Sequence, residues 1–464
     1  MNPTKKDFEP RVGFAWDPFK DGRTSVAGGF GMFDVLPFPV EMGSGVDGSA
    51  PFDVSASGSG LSMPYVTNTN CSTPPCGAYG QALANQSSRY YVMQFDPKRN
   101  YVMQWNFNIQ RQLTPNTTMM VGYVGARGIH MRFQADDNNM VYPNATNNPQ
   151  GPFTYPLQWP CANNSDGSSG FSTVTAPAAQ GGYAIQLCQN GPGVVVLNPL
   201  LGRTQMAIFD GQYRYDGLQV QVNKAMSRTF EIGGSYTWSK NIDDGGGSVA
   251  SDPFRNSVSS LLWFCKACRR SLSDQDQRHN LTVHYQWDIP TPASFGRPAK
   301  AILADWEAGG ILTISSGTPF TVLVSGDPLG QGSTDPFQYP DKVIGPGCAN
   351  PVNPQNASNY IKLECFRAPS ISTRLGTSGR NGLIGPGLID IDFSLFKNIP
   401  IHEAFKAQFR MEVFNIANRP NFSSPNDNRA ILNPDGTTNG STPGGITLVS
   451  TSSRLIQFAL KFNW

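Results

Sequence analysis

The residues of this 464-residue chain best suited to covalent or metal chemistry are eight cysteines, which fall in close pairs: Cys71/Cys76, Cys161/Cys188, Cys265/Cys268 and Cys348/Cys365. An even count with local pairing points to disulfides and an oxidising compartment. Cys265 and Cys268 form a C-x-x-C, half of a zinc site, but no second half accompanies it and the other pairs lack zinc-ribbon spacing. The four histidines, His130, His279, His284 and His402, are scattered. His279 and His284 are five apart, so on one strand they face opposite sides and do not share a metal. "HEAFK" at 402–406 lacks the second histidine of H-E-x-x-H, and no G-x-S-x-G elbow or P-loop occurs. "GGFGMF" reads as strand glycines beneath packed aromatics. "NIDDGGG" (241–247) offers carboxylates to Ca²⁺ at a loop base, with a solvated turn as the plainer expectation. Asp390, Asp392, Lys406, Arg410 and Glu412 occupy polar positions of two adjoining segments, where cross-strand charge pairs on an inner face are expected ahead of a direct role with a substrate. No catalytic constellation emerges, and neither an enzyme nor a resident cofactor or metal is expected.

The elements that position these residues must be strands. Gly (48) and aromatics (11%) are abundant, while charged residues make up only 15%, below the usual quarter. Lys plus Arg number 35 and Asp plus Glu 33, a net charge of +2 that gives no electrostatic case for nucleic acid. Mean hydropathy is −0.31, and no apolar run approaches the ~18 residues of a membrane helix. Contact with lipid, on this composition, is made by strands.

The pattern is clearest at the end of the chain. In "RLIQFALKFNW", Ile456, Phe458, Leu460, Phe462 and Trp464 alternate with Gln457, Ala459, Lys461 and Asn463. The same period of two runs through "YVMQWNFNIQRQL", "GLQVQVNK", "FEIGGSYTWSK", "LIDIDFSLFK" and "AFKAQFRMEVF". Weaker versions lie at Arg11–Trp16, Thr24–Phe33, Thr118–Gly125, Asn280–Asp288 and Trp306–Ser315. About eleven strands result, each half-exposed to two environments.

Connections alternate between short turns and long Gly/Ser/Asn/Pro-rich segments at about 34–100, 130–212, 243–278, 318–386 and 418–453. Compact domains seldom hold structureless loops beyond ~15 residues, whereas outer-membrane barrels combine short periplasmic turns with long extracellular loops. All four cysteine pairs fall inside long segments, as staples of surface loops. With the C-terminus periplasmic, the last strand starts outside and every earlier connection alternates correctly. An all-β, antiparallel transmembrane barrel domain over 1–464 is therefore expected. The apolar positions, odd in 101–109 and even in 456–464, should face lipid and their neighbours the lumen. Eleven is odd, and bacterial single-chain barrels close with even counts; it is half of 22, the size of plugged outer-membrane transporters.

The segments "PRVGFAWDPFKDGRTSVAGGFGMF", "QWNFNIQRQL", "VGYVGARGIHM", "YDGLQVQVNKAMSRTFEIGGSYTWSKNIDD", "DQRHNLTVHYQW", "SSGTPFTV" and "FRMEVFNIANRPNF", in this order, resemble the barrel of TonB-dependent outer-membrane receptors of the Oar-like group. The resemblance runs from Pro10 to the C-terminus. It implies a 22-stranded barrel, an N-terminal plug, a motif that engages TonB, and often an immunoglobulin-like domain before these. This chain opens "MNPTKKDFEPRVGFAW" without export-signal order, and no plug or TonB-contacting motif is recognisable. The expectation is a partial chain resembling the C-terminal half, which meets TonB only through a plug outside it. The final aromatic strand resembles the signal read by the barrel-assembly machinery. Physically, that strand must pair, because an open edge in lipid leaves backbone groups unsatisfied.

The expected function is uptake of an unidentified solute across the outer membrane of a Gram-negative-type bacterium, with outer-membrane lipid as surroundings. The competing reading is an adhesive surface protein whose barrel anchors ligand-binding loops. A secreted glycosidase ranks behind both, because it needs paired carboxylates in a cleft.

Overall fold

The computed structural model describes residues 8–35, 88–137, 161, 164–168, 170–189, 201–227, 229–245, 269–292, 294–326, 328, 338–371, 374–402, 405–425 and 429–463. Eleven strands form its main sheet: β1 (Arg11–Trp16), β2 (Thr24–Asp34), β3 (Tyr101–Thr114), β4 (Thr117–Asp137), β5 (Leu201–Ser227), β6 (Phe230–Asp243), β7 (His279–Asp288), β8 (Trp306–Ser315), β9 (Leu388–His402), β10 (Phe405–Phe414) and β11 (Leu455–Asn463). They hydrogen-bond in chain order, each antiparallel to the next. Ser271–Leu272 adds to β6, and Ser88–Met93 runs parallel to the outer part of β5. β1 and β11 are the two edges and do not pair with each other among the described residues.

Short connections gather at one end of the sheet and long ones at the other. The β1–β2 turn shows why the short ones form. Asp17 caps it, its carboxylate accepting from the N–H groups of Phe19 (3.2 Å), Lys20 (2.9 Å) and Gly22 (2.8 Å). Gly22, at φ +68°, then takes a left-handed conformation that costs glycine nothing. Between β7 and β8 the turn carries one short helix, α1 (Arg297–Leu303), with Pro298 in its first turn. No helix among the described residues is long and apolar enough to cross a membrane.

Register sorts the side chains onto two faces. Ile109, Phe107 and Trp105 of β3 sit opposite Val121, Tyr123 and Gly125 of β4. At the other edge Val413, Met411, Phe409 and Ala407 sit opposite Ile456, Phe458, Leu460 and Phe462. This face is apolar and bare: Phe458 is 63% exposed and Phe107 45%. The reverse face carries Gln104, Asn106, Asn108 and Gln110 on β3, and Gln219 and Gln221 on β5. Glycines make room for the aromatics. A Cβ on Gly125 would lie 2.2 Å from the Trp105 indole, and one on Gly28 2.8 Å from the Phe14 ring, the role read from "GGFGMF".

Two strands outrun their sequence pattern. The stretch read as Thr118–Gly125 continues as β4 to Asp137, and β5 begins at Leu201, so the segment expected as a loop over 130–212 shrinks from both sides. The cause is a register shift between Ile129 and Arg132 opposite Gln212–Phe209. A bulge there breaks the period of two while pairing continues.

Two of the remaining long segments carry structure of their own, contrary to the sequence reading. The segments 318–386 and 418–453 contain the only sizeable apolar cluster among the described residues, built on Phe320, Val322, Tyr360, Ile361, Phe366 and Ile431. Among the described residues the largest apolar core therefore lies outside the main sheet.

Candidate functional site

Short strands stitch this cluster into a cap. Pro319–Phe320 pairs with Leu383–Ile384, Leu323–Val324 runs parallel to Ala430–Leu432, and Asp341–Lys342 pairs with Phe366–Arg367. The Cys348–Cys365 disulfide lies inside it, with Cα atoms 5.3 Å apart. A cross-link over a separation of 17 residues contributes about 3 kcal/mol by chain-entropy arguments. A hairpin of Phe171–Thr175 and Ala184–Cys188, joined to Cys161 by a second disulfide, docks on the cap. The Tyr183 hydroxyl donates to the Ala368 carbonyl (2.8 Å), the Gln186 N–H donates to Ser370 O (2.7 Å), and Ile185 is fully buried. Burial pushes the Tyr183 phenol up to about 12, against the pull of the neighbouring Arg367.

Docking leaves a groove of about 530 Å³ lined by Tyr183, Asp341, Lys342, Val343, Ile344, Arg367, Ala368 and Ser370. The Arg367 guanidinium lies 5.4 Å over the Tyr183 ring. Asp341 sits opposite Arg367 in register, yet its carboxylate is held by both terminal nitrogens of Arg374. Arg367 therefore presents a stacked, planar cation to the groove. Such a site can hold a small ligand with a flat or anionic part.

The cap is tied to the sheet through buried charge. Arg380 reaches the Asp243 carboxylate, Ser271 Oγ (3.3 Å) and Asp274 (3.2 Å) while only 5% exposed. Arg269, 1% exposed, donates to Asp244 O (3.1 Å) and lies 3.5 Å from Asp210. Burial opposes the Arg380 charge, but Asp243 and Asp274 outweigh it and hold the guanidinium above its ordinary value. At Arg269 burial prevails over Asp244 and Asp210, and proton affinity falls. Beside them Asn381, at φ +53°, donates to Leu272 O (2.8 Å) and receives Thr321 Oγ1 (3.1 Å). The acidic stretch read as a solvated turn or Ca²⁺ site is corrected here: Asp243 and Asp244 are packed against arginines from two of the long segments. Among the described residues no group of three or more His, Cys, Asp or Glu could hold a metal.

The charges at the other edge of the sheet are also corrected. Register puts Asp390, Asp392, Lys406, Arg410 and Glu412 on one face, opposite Thr313, Ile311, Pro400, Phe396 and Ser394. No two of them are cross-strand partners, and among the described residues none forms an ion pair with another. Asp392 instead accepts the Asn415 N–H (2.9 Å), and Arg410 donates to Gln408 (2.6 Å) over the Phe396 ring. A sheet face pairs residues row by row, and none of the five has an opposite charge directly across from it; the carboxylate in the row of Arg410, Glu307, lies one strand further on, beyond Phe396. His279 and His284 lie on opposite faces, with His279 Nδ1 2.8 Å from the Tyr236 hydroxyl. In β11, Ile456, Phe458, Leu460 and Phe462 are exposed together on the apolar face. Cys71, Cys76, Cys265, Cys268 and Trp464 lie outside the described residues.

Arg269, Asp274, Arg380, Tyr183 and Arg367 were not singled out by sequence reasoning. They sit in segments without a period, and each meets its partner far along the chain, Tyr183 and Ala368 by 185 residues. The one available signal was the string "DQRHNLTVHYQW", noticed for its strand rather than for the aspartates around it.

Comparison with known proteins adds three findings. A search of curated proteins finds no match. Among solved structures, the chain is similar to the outer membrane transporter YddB from Escherichia coli, with 9% identity over 97% of this chain and 40% of that one, at a TM-score of 0.44. It is also similar to the pyoverdine outer membrane receptor FpvA from Pseudomonas aeruginosa PAO1 (8% identity, 98% and 36% covered, TM-score 0.40) and the FrpB iron transporter from Neisseria meningitidis (8%, 97% and 38%, TM-score 0.39). The chain thus spans less than half the length of these structures. The family profile described as "Outer membrane beta barrel domain" matches residues 1–457, nearly the whole of a chain whose antiparallel sheet bares one apolar face: the chain belongs to the outer-membrane β-barrel domain family.

Proposed function

We propose that this outer-membrane domain is part of the barrel of a TonB-dependent receptor that captures an unidentified solute at its external cap and passes it inward without catalysing a reaction. The observation that carries the reading is the folded cap over a sheet whose reverse face is polar. A passive anchor needs neither a dry-cored lid nor a polar lumen wall, and a receptor uses both. Strand parity supports the partial-chain reading. With eleven antiparallel strands in the main sheet among the described residues, β1 and β11 run the same way and do not close on each other in antiparallel fashion. An odd number of further strands completes the ring, and eleven more give the 22 of plugged transporters. The apolar face then meets lipid, and β11 carries the strand that the barrel-assembly machinery engages.

The test uses the protein produced from its complete reading frame in outer membranes. Vesicles are exposed to the small-solute fraction of spent medium, and retained solute is identified by mass spectrometry. Arg367→Ala and Tyr183→Ala are expected to lose it. Whole cells should accumulate that solute only while the inner membrane is energised. Accumulation that persists after a protonophore refutes TonB dependence, and capture without accumulation favours the anchoring, adhesive reading.

A further inference from the structure

Three cations stand where the outward face of the sheet leaves its apolar band. Arg127 of β4 is in register with Arg214 of β5, and Asp216, two residues along, is in register with Lys240 of β6. All lie on the face of Tyr123, Leu218 and Trp238, and Arg127, Arg214 and Lys240 are exposed. Arg127 and Lys240 stand ten residues from the short-turn ends of their strands, Thr117 and Phe230, and Arg214 stands ten residues from Lys224, the register partner of Thr117. At about 3.3 Å per residue this is about 33 Å of strand. With the tilt of outer-membrane strands it becomes about 25 Å of height, the thickness of their apolar band. Just beneath lie Tyr123, Tyr236 and Trp238, the last 51% exposed, residue types that settle at a membrane–water boundary.

Among the described residues these charges are not balanced. Asp216 accepts from Arg214 Nε (2.7 Å) and from the Tyr123 hydroxyl (2.6 Å), so Arg214 is paired. Arg127 and Lys240, on either side of that pair, form no ion pair among the described residues. Like charges directly opposite in an antiparallel pair destabilise it, and Arg127 faces Arg214 directly. A multivalent anion shared between them reverses that cost. The site looks out of the sheet at boundary height rather than into the lumen, so the anion it meets is a headgroup.

We propose that Arg127, Arg214 and Lys240 bind the phosphates of a phosphorylated glycolipid in the leaflet on the long-loop side. The inference rests on the membrane orientation of the proposed function. Two unpaired cations flanking a neutralised one match a headgroup with two separated phosphates better than a single phosphodiester.

The protein is isolated from outer membranes in mild detergent, and retained bisphosphorylated glycolipid is counted by mass spectrometry. Arg127→Gln with Lys240→Gln should lower retention about tenfold for each cation removed. The polar-face control Gln110→Ser should leave it unchanged. Heat-modifiable migration confirms that each variant is folded. Equal retention by wild type and double variant overturns the proposal. So does displacement by an equal concentration of monophosphate glycerophospholipid, or by millimolar inorganic phosphate, which would define a free-anion site. Spin labels at Phe107 and Phe458 report the orientation separately. If oxygen reaches both while glycolipid retention is unaffected by the substitutions, this site is wrong and the barrel reading stands.

Discussion

The main sheet and the cap bury their apolar residues in opposite ways. The sheet turns Phe107, Ile456, Phe458 and Leu460 outward, and its buried apolar side chains are few and mostly small, such as Ala308 and Ala407. The cap takes Phe320, Ile361 and Ile431 to zero exposure. One chain thus obeys two solvents. In water an apolar side chain is stabilised by about 25 cal/mol per Å² hidden, and the cap follows that rule. In hydrocarbon no such force acts between apolar groups, and the sheet is held by the hydrogen-bond ladder between neighbouring strands.

That contrast can be broken most severely at β11. Phe458→Ser with Phe462→Ser removes about 1.5–3 kcal/mol of transfer free energy per side chain, modest for a barrel. If the strand is the assembly signal and its face belongs in lipid, the double variant should disappear from the outer membrane, measured by immunoblot of fractionated cells. Gln457→Ser on the reverse face should assemble normally. Equal levels of the two variants would remove β11 from that role.

The cap should respond to charge next. Arg380→Met strips Asp243 and Asp274 of their shared cation in a buried place, a class of change that costs about 3–5 kcal/mol. Limited proteolysis should then cut within 338–371 while the sheet keeps its resistance to heat in detergent. A smaller loss, about 3 kcal/mol, is expected from Cys348→Ser with Cys365→Ser, read as faster amide exchange at Ile361 and Phe366. Exchange in β3 and β10 should not change.

The smallest effect concerns pH. The Thr437 hydroxyl (2.6 Å) and N–H (2.9 Å) both donate to Asp435, holding its carboxyl below the ordinary value. A depressed folded value means the ionised form stabilises the turn. Its contribution is complete above the ordinary carboxylate range and is lost as pH falls through the lowered value. Cap stability in wild type should therefore drop slightly more than in Asp435→Asn on acidification, by well under ~1 kcal/mol because the group is largely solvated. Circular dichroism melts of the two proteins at neutral and acid pH would show the difference.

How far each region can be read from sequence follows the same division. A strand between lipid and a polar lumen must alternate at every step, so Trp306–Ser315 and Arg11–Trp16 are legible to the residue. Alternation also displayed the five charges near the C-terminal edge as one face, though it could not say which rows they share. The cap is built of two- and three-residue strands with no room for a period. Its glycine-rich "TSGRNGLIGPG" looks like plain loop, yet it delivers Arg380 and Asn381 to the rim. The bulge after Ile129 hid the outer halves of β4 and β5 for a related reason, since one inserted residue inverts the pattern without ending the ladder.

The hairpin docked through Tyr183 and Ala368 also sets an order of events. Every rung of the main sheet between neighbouring strands can form as soon as the next strand arrives. The cap joins residues 185 apart at that hydrogen bond and 137 apart at Arg380 and Asp243. Loop-closure entropy makes such contacts late, and their pieces are carried separately, each by a different pair of strands. On the proposed orientation the cap is therefore the last part of this molecule to form: its pieces become one body only outside the cell, after the wall beneath them has been laid.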